Sequence, residues 1–226
     1  MKGSELVDTI LTKKMIEEAK RKTEKYAVEG FLAGQGPKNP KFMLIGEAPG
    51  EVEAMETGVP FSGRAGKELM RFFDLLEVTR EDVYITSPFR SRPYKIKEKL
   101  DRKTGEITSR KYNRAPNKKE LLAHAPLIDY EIDQIQPPFI LTMGNIGLQR
   151  LLGKDKKVGQ VHGELIISPI LKLKNNGLDG YEWTEKEYAI FPTFHPASIF
   201  YNRQLNEKIQ ADLLLFKKLI QSKNER

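Results

Sequence analysis

The chain has no cysteine, a single tryptophan and three histidines, and no run of about 18 apolar residues that could span a bilayer. The first absence excludes disulfides, thiolate zinc centres, cysteine nucleophiles and thiolate-held iron–sulfur clusters together. A catalyst here has to be assembled from Asp, Glu, His, Ser, Lys or Tyr. His124, His162 and His195 lack the paired spacing of a metalloprotease helix, so no metal site is expected. No Walker loop and no dinucleotide fingerprint is present, and no Gly-x-Ser-x-Gly elbow supports a serine triad. Residues Met1 to Asp8 mix acids with apolar residues and contain no hydrophobic core. Neither a secretory signal nor a transit peptide is expected, and the expected compartment is the cytoplasm.

What is present fits one domain over residues 1–226, with 39% hydrophobic and 31% charged residues. A chain of this size can bury roughly 70% of its unfolded surface. The net charge of +7 is concentrated. Between Arg90 and Lys119 there are 12 basic and 3 acidic residues, so this segment carries +9 and the remainder −2. Such a stripe is the footprint of a polyanion partner, although charge alone fits a solvated loop equally well.

Periodicity gives the outline of the fold. Leu6, Ile10, Leu11, Met15, Ile16 and Ala19 predict an amphipathic helix over about 5–26. Lys41 to Gly46, Asp82 to Thr86 and Pro138 to Gly144 read as buried strands, with weaker strands near 165–167 and 188–191. Helices are predicted over Arg64 to Leu76, about Asn117 to Gln134 and about Glu207 to Ile220, with a further short helix capped by Asn145 and running to Leu152. Strands alternating with helices imply a three-layer α/β/α sandwich around a central, mainly parallel, four-stranded sheet. Ligands in such sheets bind beyond the carboxyl ends of the strands. The loops after Gly46, after Thr86 and after Phe191 should therefore converge. Tyr94 to Leu100 and Ile107 to Tyr112, joined through Gly105, read as a projecting basic β-arm over about 94–112. Its cationic side chains could track a phosphate backbone without sequence preference.

Two segments stand out chemically. Gly46-Glu47-Ala48-Pro49-Gly50-Glu51-Val52-Glu53 directly follows a strand and continues through Pro60-Phe61-Ser62-Gly63-Arg64-Ala65-Gly66 into a helix. The glycines admit close approach of a ligand, and Phe61 offers an aromatic face, yet an ordinary turn explains the pattern as well. Phe191-Pro192-Thr193-Phe194-His195-Pro196-Ala197-Ser198 places His195 at a strand end in a proline-stiffened loop.

Together these segments resemble the uracil-DNA glycosylase superfamily, most closely its family 4, the iron–sulfur type. The resemblance runs from about Gly34 to Leu219, and Asn113-Arg114-Ala115-Pro116 and the stretch from Gly144 to Gly153 also fit it. It implies a monofunctional DNA glycosylase that flips uracil or a related deaminated base out of DNA and hydrolyses its glycosidic bond. On that resemblance His195 donates a hydrogen bond to the base oxygen that gathers charge, and Glu47 positions water or stabilises the cationic sugar. Phe61 stacks on the base, backbone amides near Gly46 and Ala48 hold the pyrimidine, and Glu53 walls off the space of a thymine methyl. Ile199 or Phe200 wedges into the vacated stack. DNA contacts are expected from Arg90, Arg92, Lys95, Lys97, Lys99, Arg102, Lys103, Arg110, Lys111 and Arg114. The partner is DNA with a flipped-out base, no membrane is involved, and the protein is expected to be a monomer.

Four departures accompany the resemblance. Ser91 and His124 stand at two cluster positions, so no iron–sulfur cluster and no other cofactor is expected. Ser87 replaces the asparagine that reads the base edge in the family, exchanging a fixed donor and acceptor pair for one hydroxyl at about 1–3 kcal/mol of affinity or selectivity. The basic arm is longer than the usual connection, and Ala54 stands where an acid often follows. A non-catalytic DNA-binding or damage-sensing protein on the same fold is the alternative. A weaker one is a protein that processes a modified nucleotide or joins a replication complex.

Overall fold

The computed structural model describes residues 9–100, 102, 105–174 and 180–224. In chain order, α1 (Lys13–Thr23) is followed by β1 (Val28–Glu29), β2 (Phe42–Ile45), α2 (Arg64–Leu76), β3 (Val83–Thr86), β4 (Arg92–Leu100), β5 (Ile107–Asn113) and α3 (Lys118–Ile135). Then come β6 (Ile140–Met143), α4 (Asn145–Leu152), α5 (Val158–Val161), β7 (Ile166–Leu173), β8 (Tyr181–Thr193) and α6 (Leu205–Asn224).

The central sheet has the order β3-β2-β6-β8-β7. Its first four strands are parallel, and β7 pairs antiparallel with β8 at the edge. The sheet therefore has five strands rather than the expected four. The two weak strands anticipated near 165–167 and 188–191 are parts of one long hairpin. Pro169 disguises β7 in the sequence, because proline cannot donate to a ladder; an edge position with a register shift between Pro169 and Leu171 accommodates it.

Every residue of β2, β3 and β6 is buried, as strands covered on both faces require. On one face, Leu69, Phe72, Phe73 and Leu76 of α2 meet Ile209, Leu213, Phe216 and Ile220 of α6. On the other, Ile128, Ile132 and Ile135 of α3 and Leu148, Leu151 and Leu152 of α4 cover the sheet. Each such side chain contributes about 1.5–3 kcal/mol of burial. α1 and Leu11 just before it add an outer layer against α3, where Leu11 and Ala19 cluster with Leu127. α1 is shorter than the expected 5–26, starting where Thr12 accepts the amide of Met15; residues 5–8 of that expectation lie outside the described residues.

The β-arm is present and forms a second sheet, β1-β4-β5. Its register pairs Lys95 with Tyr112 and Lys97 with Arg110, and these share one face, where Lys97 and Arg110 both sit over the Tyr112 ring. The opposite face carries Tyr94, Ile96, Leu100, Ile107 and Lys111. Strand register also sets the site. Ile45 stands level with Thr86 and Thr142, and Met143 level with Thr193. The segments that begin at Gly46, Ser87, Gly144 and Phe194 therefore leave the sheet at one edge.

Candidate active site

At that edge lies a cleft of about 630 Å³. Gly46, Glu47, Ala48, Glu53, Phe61, Ser87 and His195 all line it. Residues contributed by three different strand ends, and separated by up to 149 positions in sequence, are thus brought together as the topology required.

Glu47 sits at the amino end of α4, where its Oε1 accepts the Asn145 amide at 3.1 Å. Gly144, at φ +94°, makes room: a Cβ there would stand 2.3 Å from that carboxylate oxygen. Burial raises the Glu47 pKa, and the amides of Ile146 and Asn145 pull it back down. The helix end favours the anion in the same way.

His195 is fixed by its own turn. Its Nδ1 accepts the Ala197 amide at 3.1 Å, so in the neutral ring the proton is on Nε2. Burial lowers its pKa to about 4, which keeps the imidazole neutral at pH 7 as a donor. Its ring lies 5.7 Å from that of Phe61 at an interplanar angle of 28°. Phe61 has φ +53°, a left-handed conformation that a bulky residue adopts only under constraint. Glu53, in a π-helical turn (Glu53–Thr57), accepts the Gly63 amide at 3.3 Å, which holds its carboxylate at the cleft wall.

Ser87 donates its hydroxyl proton to the Phe89 carbonyl at 2.8 Å, leaving its lone pairs as an acceptor. The Gly46 amide is committed to the Thr86 carbonyl at 2.9 Å. Gly46 therefore serves as a surface for the Phe61 ring, whose Cζ would meet a Cβ at 2.9 Å, and not as the amide donor expected of it. Among the described residues, the Ala48 amide has no protein acceptor.

The cationic residues divide. Arg90 and Arg92 are 1% and 2% exposed, so neither can reach a phosphate backbone as expected. Arg90 pairs with Glu131 at 2.5 Å and hydrogen-bonds Thr86, while Tyr84 donates to Glu131 at 3.1 Å. Arg92 pairs with Glu29 at 2.5 Å and Glu51 at 3.1 Å and donates to Asn113 at 2.6 Å. Arg114 is held by Glu120 at 2.6 Å and by backbone carbonyls, and Lys111 pairs with Glu29 at 2.5 Å. Sequence charge shows none of these partners, because each carboxylate belongs to another segment. Lys95, Lys97, Arg102 and Arg110 are exposed on the arm; Lys103 and the side chain of Lys99 lie outside the described residues. The wedge expectation also changes. Ile199 packs against the core and Phe200 lies under the Arg64 guanidinium at 3.9 Å. Tyr201, which the sequence did not single out, is 92% exposed beside them at the cleft.

His124, expected from the resemblance to stand at a cluster position, is held by protein groups. His124 is fully buried and accepts the Arg90 amide on Nδ1 at 2.9 Å, with Nε2 3.3 Å from the Ala19 carbonyl. It stacks on Phe89 at 4.5 Å and meets Phe31 edge-on at 5.7 Å. With both ring nitrogens engaged and no cysteine in the chain, these residues do not fit an iron–sulfur cluster.

The arrangement is that of an α/β enzyme with a carboxylate, a neutral imidazole donor and an aromatic plate facing one cleft at the carboxyl ends of parallel strands. The sequence model of the Uracil DNA glycosylase superfamily matches residues 33–217, and the chain belongs to that family. It is 31% identical to the Type-4 uracil-DNA glycosylase of Saccharolobus solfataricus over 92% of this chain and 87% of that one. It is 34% identical to that of Sulfurisphaera tokodaii, over 83% and 72%, and 30% identical to that of Pyrobaculum aerophilum, over 82% and 81%. Nothing in these relatives supports a non-catalytic binder.

Proposed function

We propose that the protein is a monofunctional uracil-DNA glycosylase that hydrolyses the bond between a flipped-out uracil and its deoxyribose. The observation that carries the residue roles is the tautomer of His195, a neutral ring whose Nε2–H is the group left to face the cleft. As the C1′–N1 bond breaks, its electron pair moves into the base and collects on O2. A preorganised donor there stabilises the leaving group without adding a second full charge, an effect worth about 3–4 kcal/mol in comparable sites. Glu47, as the anion, stabilises the oxocarbenium-like sugar and orients the water that attacks C1′. That water gives the new C1′–OH, and the proton balance closes with neutral uracil and an abasic site. Phe61 stacks on the base, Ser87 accepts the imino N–H, the Ala48 amide donates to the base, and Glu53 narrows the cleft against a 5-methyl group.

DNA is held by the exposed arm cations Lys95, Lys97, Arg102 and Arg110. Tyr201 is the aromatic best placed to fill the stack a flipped base leaves. The protein acts as a single-domain monomer in the cytoplasm; among the described residues no helix is long and apolar enough to cross a membrane. The test is an abasic-site assay on single- and double-stranded oligonucleotides carrying uracil, hypoxanthine, xanthine or hydroxymethyluracil. Cleavable abasic product from uracil is expected, with turnover lost and DNA affinity kept in His195→Ala. No product from any substrate at high enzyme and low salt refutes the reading.

A further inference from the structure

Among the described residues Phe61 is the one non-glycine residue of the cleft with a left-handed backbone, and the contacts that hold it lead away from the cleft to a side chain that makes no other hydrogen bond or ion pair among those residues. Its carbonyl and that of Pro60 receive the two terminal nitrogens of Arg80, at 2.8 and 2.9 Å. Arg80 belongs to a short 3₁₀ turn (Arg80–Asp82) fixed by a reciprocal cap between Thr79 and Asp82. Among the described residues it forms no ion pair with a carboxylate, and burial lowers its pKa. The same Phe61 carbonyl lies against Gly66, where a Cβ would stand 1.7 Å from it.

We infer that Arg80 is a positioning residue for the base-stacking ring, clamping the carbonyls of Pro60 and Phe61 so that Phe61 stays left-handed with its ring over Gly46 and beside His195. A planar guanidinium meets two adjacent carbonyls with a fixed fork, which an ammonium cannot copy. Without the clamp, Phe61 relaxes to negative φ, where bulky residues are at ease, and the ring leaves the Gly46 surface. The inference rests on the base-stacking role proposed for Phe61.

The experiment is a double-mutant cycle on kcat/KM for a uracil oligonucleotide, using Arg80→Ala, Phe61→Ala and the pair. Arg80→Ala is expected to lose about tenfold or more, and the double variant to match Phe61→Ala, since a misplaced ring has nothing left to lose. Millimolar guanidinium should restore Arg80→Ala but not the double variant. If Arg80→Ala does not fold, Arg80→Lys carries the test, with an intermediate loss and partial coupling expected. Additive losses, or full activity in Arg80→Ala while Phe61→Ala is impaired, overturn the clamp alone. Full activity in Phe61→Ala removes the stacking role and the clamp with it.

Discussion

His124 should make the protein acid-labile by a calculable amount. Its folded pKa is lowered from 6.5 to about 3, first by burial and then by the nearby charge of Arg90. The unfolded chain therefore binds one proton more than the folded one between these values, and folding stability falls as pH drops through that window. The contribution is fully present above pH 6.5. Going from pH 7.5 to pH 5 should remove about 2 kcal/mol through this residue, at a limiting slope of about 1.4 kcal/mol per pH unit. That is a sizeable part of a total near 5–15 kcal/mol. His124→Asn keeps an acceptor for the Arg90 amide and cannot titrate. Urea unfolding at pH 7.5, 6.5, 5.5 and 5.0 should show the variant less stable at pH 7.5, through lost stacking on Phe89 and Phe31, but with a flatter pH dependence by about 2 kcal/mol over the range. Parallel stability curves for wild type and variant would refute the reasoning, because they would place the titrating proton elsewhere.

Other expectations follow from the same geometry. His195→Ala should lower kcat about 10²–10³-fold, the usual cost of one oxyanion donor, with little change in DNA affinity by fluorescence anisotropy. The acid limb of kcat/KM should track Glu47, whose raised pKa means the anion is lost as pH falls through a value above the ordinary carboxylate; Glu47→Gln should abolish that limb in a pH–rate profile. Replacing Lys95, Lys97 and Arg110 together by Ala should reduce the slope of log affinity against log salt by about 3 in titrations from low to moderate salt. Glu131→Ala leaves the Arg90 charge buried without its partner and should cost about 3–5 kcal/mol in chemical denaturation.

Much of this was legible from the sequence, for identifiable reasons. The bounds of α2 follow from its apolar face and match the structure; α4 ends at Leu152 as read, but Gly144 is its N-cap and Asn145, read as the cap, is its first residue and accepts the Val158 amide instead. Burial on both faces makes β2, β3 and β6 continuous apolar runs, so their ends, and with them the candidate site, could be placed. β7 was anticipated only at its first residues, near 165–167, because Pro169 reads as a break where the strand in fact continues to Leu173. The roles of Arg90 and Arg92 were misread because a charge in sequence does not reveal which distant carboxylate will meet it. The strain at Phe61 and the Arg80 clamp leave no local signal, since both depend on contacts across 19 or 20 positions.

The histidine lodged between α1, α3 and the loop after β3 also bears on how this molecule comes to exist in a cell. A repair enzyme stitched by a metal cluster matures only after iron and sulfide have been delivered, and oxidants that attack the cluster also disable repair. In this chain the junction closes with an imidazole, two aromatic rings and main-chain hydrogen bonds that every newly made chain already contains. Closing this junction therefore draws on the polypeptide alone, and its integrity depends on packing and burial rather than on a redox-active group.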